Sequence, residues 1–170
     1  MATTFPALSS PFKIGSVTIK NRFVQAPLTT GFYLGPNGEF TRHGIDYFVR
    51  RAQGGTGLLQ TGALSTDVEV DPAGALGATF RTNPLPFITT SEEMLTRSHA
   101  YGAKFFIQLT LGLGRNYEGL YSPSENPVFG TTDVMSPVLT TEQIRAKIRQ
   151  FVEAAVIAKQ AGFDAGRPPG

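Results

Sequence analysis

An α/β fold is predicted for this chain: the N-terminal half of a TIM (β/α)8 barrel, preceded by a β-hairpin and ending near the fourth strand. Strand-like and helix-like segments alternate along the sequence, which implies a parallel sheet with helical crossovers. The two longest loops both follow strands, where α/β folds carry their functional groups. A whole barrel needs about 250 residues, and this chain has 170. An open doubly wound sheet is the alternative, but the first strand–helix turn lacks the G-x-G-x-x-G needed for a dinucleotide.

The segment Lys13 to Ile19 reads as a hairpin with Gly15-Ser16 at its turn. Phe23-Val24-Gln25 is a short apolar strand closed by Pro27. After the Gly35-Pro36-Asn37-Gly38 turn, a helix from Thr41 places Ile45, Phe48, Val49 and Ala52 on one face, with Gly54-Gly55 as its stop. Gly57 to Thr61 forms the next strand, followed by a polar loop to about Pro86. Thr90-Ser91-Glu92-Glu93 has the spacing of a capping box and predicts a helix running to Tyr101. Lys104 to Leu109 is largely apolar, as a strand covered on both faces should be. A long loop with Gly112, Gly114, Pro123, Pro127 and Pro137 leads to Thr140. From there a helix should turn Ile144, Ile148, Phe151, Val152, Ala155 and Val156 inward. Gly162 ends it, and Phe163 opens a fourth strand.

Composition narrows the function classes. A hydrophobic fraction of 41% and a charged fraction of 16% suit a globular protein. A net charge of +2 without a basic cluster argues against a nucleic-acid partner. There is no cysteine, which excludes disulfides, thiolate-bound metal and thiol catalysis. The two histidines, His43 and His99, are far apart and predict no metal site. Met1-Ala2-Thr3-Thr4 does not open a secretory signal, and no apolar run is long enough to cross a membrane, so a cytoplasmic location is expected.

Four segments, in order and spacing, carry a family resemblance. They are Pro11 to Gly15 with Lys20-Asn21-Arg22 and Ala26-Pro27-Leu28-Thr29; Arg51 to Gly55 through Thr61-Gly62-Ala63; Gln108-Leu109 with Gly112 and Gly114-Arg115; and Pro123-Ser124 with the segment from Thr140 to Asp164. Together they resemble the old yellow enzyme family, the NADH:flavin oxidoreductases, and within it the branch of 2,4-dienoyl-CoA reductase and the bile-acid enoate reductases. The resemblance implies FMN as cofactor, NAD(P)H as reductant and a small-molecule enone or enoate as substrate. It also implies that Pro27, Leu28, Thr29, Ala63 and Gln108 bind the cofactor, with Thr29 near flavin N5/O4 and the small Ala63 allowing the backbone close to the ring. Gln108 has both donor and acceptor groups for the pyrimidine edge, and a buried amide on an apolar strand needs partners. Each residue also has a structural reading: Thr29 closing a turn, Asn21-Arg22 anchoring the barrel floor, Arg115 in a surface ion pair, and Phe32 and Tyr33 packing locally instead of lining a substrate pocket. The histidines read as structural.

The chain departs from the family at two places. Thr110-Leu111 stand where some branches have a substrate histidine, so none is assigned. After Asp164 the family continues into a strand bearing Val-Glu-Ile-His, whereas this chain reads Ala165-Gly166-Arg167-Pro168-Pro169-Gly170. Prolines supply no ladder donors. Residues 1–164 are therefore expected to form a partial FMN-binding barrel domain and 165–170 a disordered tail. The groups that hold flavin phosphate and the catalytic acid lie beyond these segments in the family, as do the cysteines of an iron–sulfur cluster in the dienoyl-CoA reductase branch. The expectation is the N-terminal portion of an ene/enoate reductase, inactive as an isolated fragment. The alternative is a non-catalytic half-barrel that self-associates or pairs with another subunit through exposed strand edges.

Overall fold

The computed structural model describes residues 5–67, 69–71 and 80–167. A single-turn helix α1 (Pro6–Ser9) leads into the hairpin β1 (Phe12–Ile14) and β2 (Val17–Ile19), paired antiparallel with Ile14 opposite Val17, as the Gly15-Ser16 turn predicts. Helix α2 (Arg42–Gln53), strand β3 (Leu58–Ser65), helix α3 (Pro84–His99), strand β4 (Lys104–Thr110), helix α4 (Thr141–Gln160) and strand β5 (Ala165–Arg167) follow. Strands β3, β4 and β5 form a parallel sheet in that order. The predicted strand Phe23–Gln25 survives as one parallel bridge, Val24 to Leu58, on the free side of β3, supported by the Gln25 amide donating to the Leu58 carbonyl at 2.9 Å. The succession of parallel strands with helices on one side is that of a partial barrel.

Alternation along the strands sorts the side chains into two layers. Leu59, Phe105, Ile107 and Leu109 point toward the helices, into a core that also holds Phe48, Phe87, Met94, Ala154 and Phe163. An aromatic chain runs through it: Phe48 meets Phe105 edge-on with ring centroids 5.0 Å apart, Phe105 meets Phe163 at 5.6 Å, and Phe80 stacks on Phe87 at 4.2 Å. On the opposite face Leu58 and Phe106 pack with Ile19, flanked by Ile14, Val17 and Ala165, so the hairpin closes the floor. Asn21 secures that floor, as expected: its carboxamide donates to the Gly55 carbonyl at 2.8 Å and accepts from the Phe23 amide at 3.1 Å.

Three expectations are corrected. Helix α3 begins at Pro84, not Thr90. Two prolines, Pro84 and Pro86, occupy the first turn, where amide protons have no intrahelical acceptor and their loss costs nothing. The Thr90 hydroxyl, lying inside the helix, donates back to the Pro86 carbonyl at 2.7 Å and accepts from the Phe40 amide at 2.9 Å, so it is no cap. The true capping box is at Thr140, whose hydroxyl accepts from the Gln143 amide while the Gln143 side chain accepts from the Thr140 amide.

The second correction concerns the face of α4. It buries Lys147, Gln150, Ala154 and Ala158, while Ile148, Val152 and Val156 are 50–57% exposed. Alanines at the contact let the helix approach the sheet closely, and ion pairs of Lys147 turn the aliphatic stripe outward. Third, Ala165–Arg167 pair in register with Phe106–Gln108 instead of beginning a tail. Residues 168–170 lie outside the described residues.

The floor end of β4 is tied to this last strand through Asp164. Its carboxylate accepts from Lys104 Nζ at 2.7 Å and the Phe105 amide at 2.8 Å, and pairs with His99 Nε2 at 2.8 Å. Burial acts to raise the carboxyl, but Lys104, the Phe105 amide and His99 outweigh it and hold it below the usual range. A depressed carboxyl stabilises the fold above its unfolded value near pH 4 and loses that contribution as pH falls through the folded value. Asp164→Asn should therefore cost about 2 kcal/mol at pH 7, the typical worth of hydrogen bonds to a charged group. The gap to the parent chain should close as pH drops below about 4. Urea unfolding followed by circular dichroism at both pH values measures this, and an unchanged midpoint at pH 7 would contradict it.

Candidate functional site

The inner face above the floor is built where three chain segments meet. The turn Pro27-Leu28-Thr29 leaves the Val24 bridge and crosses in front of β3. The Thr29 hydroxyl accepts a hydrogen bond from the Ala63 amide at 3.2 Å. Ala63 in turn is the register partner of Gln108 on β4. The residues predicted from the resemblance, Pro27, Leu28, Thr29, Ala63 and Gln108, are thus gathered into one wall. Pro27, Ala63 and Gln108 are half-buried, and Leu28 and Thr29 are exposed on the open side.

A β-bulge sets this wall. Gln60 pairs with Phe106 and Ala63 with Gln108, so two residues of β3, Thr61 and Gly62, oppose the single Ile107. The Thr61 hydroxyl fills the resulting gap by accepting from the Gln108 amide at 2.9 Å. Gly62 lies so close to the turn that a Cβ there would sit 2.6 Å from the Leu28 carbonyl oxygen and 2.6 Å from Thr29 Cα, and against the Tyr33 hydroxyl. A larger residue would push the turn away from the wall. Neither the bulge nor the roles of Thr61 and Gly62 are read from the sequence. A glycine inside an apolar strand is the signal that could have found them.

Chemically, the wall offers a hydroxyl, a carboxamide and little else. The Thr29 hydroxyl accepts from the Ala63 amide, lies beside the Tyr33 phenol and is exposed on the open side. The Gln108 side chain lies on the same face as Phe106, and its carboxamide makes no hydrogen bond to the described residues. Tyr33 stands behind the wall, 1% exposed, and burial pushes its phenol up to about 12, with the Thr29 side chain and Gly62 backbone pulling weakly the other way.

Other predicted positions fall elsewhere. Tyr33 belongs to the core, and Phe32 packs on the rings of His43 and Tyr47 at 4.7 and 5.4 Å, so neither lines an open pocket. Arg115 is exposed on a 3₁₀ turn and has no ion pair among the described residues. A concavity of about 620 Å³ lies on α2, lined by Arg42, His43, Asp46, Tyr47, Arg50 and Arg51 and by none of the wall residues. Arg42 is satisfied there by Asp46 and Glu93, and Arg51 by the Tyr47 ring 3.4 Å away. No described group of acidic or histidine side chains could hold a metal ion, and no described helix is long and apolar enough to cross a membrane.

Comparison with known proteins identifies relatives. The sequence pattern of the NADH:flavin oxidoreductase / NADH oxidase family matches residues 7–165. The chain is 41% identical to the cinnamate reductase of Clostridium sporogenes over 96% of its own length and 26% of that protein's. It is 33% identical to the NADPH dehydrogenase of Bacillus velezensis, over 92% of its own length and 46% of the relative's. The fold superposes on the crystal structure of Old Yellow Enzyme from a Pichia species with a TM-score of 0.76 and 25% identity, covering 95% of this chain and 45% of that one. The chain thus spans between a quarter and a half of the relatives it matches.

The contact at Gly62 is open to test. Gly62→Ala should cost about 2 kcal/mol, as overpacking of a filled site does, and lower Tm by roughly 5 °C. It should also speed hydrogen exchange at the Ala63 amide, whose acceptor is carried by the displaced turn. Unchanged Tm and unchanged Ala63 exchange would show that the turn does not lie where described.

Proposed function

The chain belongs to the NADH:flavin oxidoreductase / NADH oxidase family, and from that premise we propose that its inner wall is one side of an FMN site in an ene/enoate reductase-type enzyme. The observation that carries the reading is the convergence of the Thr29 hydroxyl, the Ala63 backbone and the Gln108 carboxamide on one open face.

The donor set fits the group. A flavin's pyrimidine edge alternates donors and acceptors, and Gln108 presents both from one side chain with no competing partner among the described residues. The exposed Thr29 hydroxyl, which can donate as well as accept, suits the N5/O4 edge, where a donor stabilises negative charge on the reduced ring. Ala63 and the backbone around Pro27-Leu28 present little bulk, which lets a flat ring lie against them. FMN held against this wall would supply hydride-transfer chemistry between NAD(P)H and an activated alkene. The residues described here bind and orient that ring and tune its charge. Phosphate contacts, which contribute much of the affinity for such a ligand through charge-assisted hydrogen bonds, are not provided by this wall.

A second reading is favoured by the exposed stripe Ile144, Ile148, Val152 and Val156 on α4. Such a face suits a half-barrel that pairs with another subunit. Light scattering on the purified chain separates the two readings, since a clean monomer that binds FMN argues against pairing.

Two measurements test the FMN proposal. Quenching of FMN fluorescence should report weak binding by the 170-residue polypeptide, and Gln108→Leu should weaken it about fivefold to tenfold, the worth of about one neutral hydrogen bond. Equal binding by the parent and the variant would remove Gln108 from the site. Oxidation of NADPH with cyclohexenone should be undetectable for this polypeptide alone, and measurable turnover would overturn that expectation.

A further inference from the structure

The ends of the two strands that carry the wall are held by a buried ion cluster for which the proposed cofactor contacts give no role. Lys147, in the N-terminal half of α4, is 3% exposed. Its three protons are all engaged: with the Asp67 carboxylate, with the Asp71 carboxylate at 2.8 Å, and with the Leu111 carbonyl at 2.7 Å. Asp67 and Asp71 are 2% and 3% exposed. The Asp67 carboxylate also accepts from the amides of Glu69, Val70 and Asp71 at 2.8–3.0 Å, and Asp71 accepts from the Tyr121 amide at 3.0 Å. Gly112 lets the β4 loop close over the cluster: a Cβ there would stand 2.9 Å from Asp71 Oδ2 and 3.4 Å from Lys147 Nζ. The charged groups that border it are Arg81, which donates to the Thr66 carbonyl at 3.2 Å, and the carboxylates Glu69 and Glu153 that pair with Arg81 at 2.8 and 2.9 Å.

The cluster lies just beyond the wall. Asp67 follows Ala63 by four residues, and Leu111 follows Gln108 by three. Between them the Thr66 amide and hydroxyl both donate to the Thr110 carbonyl, at 3.0 and 3.1 Å. We propose that Lys147 is a positioning residue, fastening the carboxyl ends of β3 and β4 to α4 and so holding Ala63 and Gln108 in register at the wall. Two carboxylates in one desolvated site repel each other, and the single ammonium between them turns that repulsion into attraction for both loops. The inference rests on the reading of the wall as a cofactor site for its functional meaning, but not for its geometry.

Charge gives the test its sign. Burial works to raise the Asp67 carboxyl, but Lys147 and the Val70 and Glu69 amides outweigh it and hold it below the usual range. That contribution to stability is present above about pH 4 and lost as pH falls. Lys147→Met keeps the stem and removes the charge, leaving two buried carboxylates without a cation. Burial then favours the protonated form of Asp67 in the folded chain, so the variant should become more stable as pH falls from 8 to 5, a range over which this contribution leaves the parent unchanged. Hydrogen-exchange protection at the Ala63 and Gln108 amides should drop at least tenfold at pH 7.5 and partly return at pH 5.5, while α2 amides such as Phe48 keep theirs. Protection unchanged at Ala63 and Gln108, or lost equally in α2, would overturn the proposal. If Lys147→Met does not fold at pH 7.5, Lys147→Met with Asp71→Asn removes the carboxylate pair. This double variant should still lose protection at both wall amides, with a smaller recovery at low pH because one buried carboxylate remains; retained protection there would overturn the proposal equally. FMN affinity, followed by fluorescence, should fall with protection. If the parent chain binds no FMN, the cofactor reading fails, while the exchange measurements still decide the role of Lys147.

Discussion

The close passage of β3 past the Pro27-Leu28-Thr29 turn is the constraint on which the inner wall depends. Without a side chain at Gly62, the Leu28 carbonyl and Thr29 Cα can come within contact of the strand backbone. That proximity lets the Ala63 amide reach the Thr29 hydroxyl. The bulge at Thr61-Gly62 then changes the pairing so that Ala63, and not its neighbour, faces Gln108. A one-residue change in register reverses which side chains face inward, so the wall's composition follows from this local irregularity more than from any side chain on it.

A second constraint acts from behind. Helix α4 has two candidate faces, an aliphatic one at Ile144, Ile148, Val152 and Val156, and a mixed one at Lys147, Gln150, Ala154 and Ala158. Hydrophobic burial alone selects the first. The structure buries the second, where Lys147 meets the carboxylates of Asp67 and Asp71 in the closed space under the β3 and β4 loops. Leaving those carboxylates unpaired in a desolvated site would cost several kcal/mol, more than the exposure of three or four aliphatic side chains that stay partly covered. Electrostatics thus fixes the rotation of a helix whose pattern suggests otherwise.

This explains which features were legible in the sequence. Elements whose signal is local were read correctly: the Gly15-Ser16 hairpin, the Thr41 start of α2, the start of α4 at Thr140 and the apolar run of β4. Features that depend on distant partners were not. Thr90 has the spacing of a cap but serves as acceptor for Phe40, fifty residues away. Pro84 and Pro86 look like loop residues until a helix starts on them. The inward face of α4 was misread because its counter-charges sit on the loop after β3, eighty residues earlier in the chain for Asp67. Ala165–Arg167 became a strand because the backbone of β4 offers them partners, whatever the prolines that follow prefer.

The two faces of the sheet carry separate duties. On the helix side, Phe48, Phe87, Phe105 and Phe163 interlock in a closed core, and the floor is sealed by Ile19, Leu58 and Phe106. On the inner side above the floor, Leu28, Thr29 and Gln108 remain accessible, and the Gln108 carboxamide has no hydrogen-bond partner among the described residues. Packing on one face holds the strand backbone from which the Gln108 side chain projects on the other. Groups held in this way need no rearrangement to meet a ligand, so less ordering entropy is lost on binding. A parallel strand with alternate residues on the core face and on the inner face couples the two directly: the Phe105, Ile107 and Leu109 that anchor β4 in the core are the same residues that fix the direction of Gln108 between them.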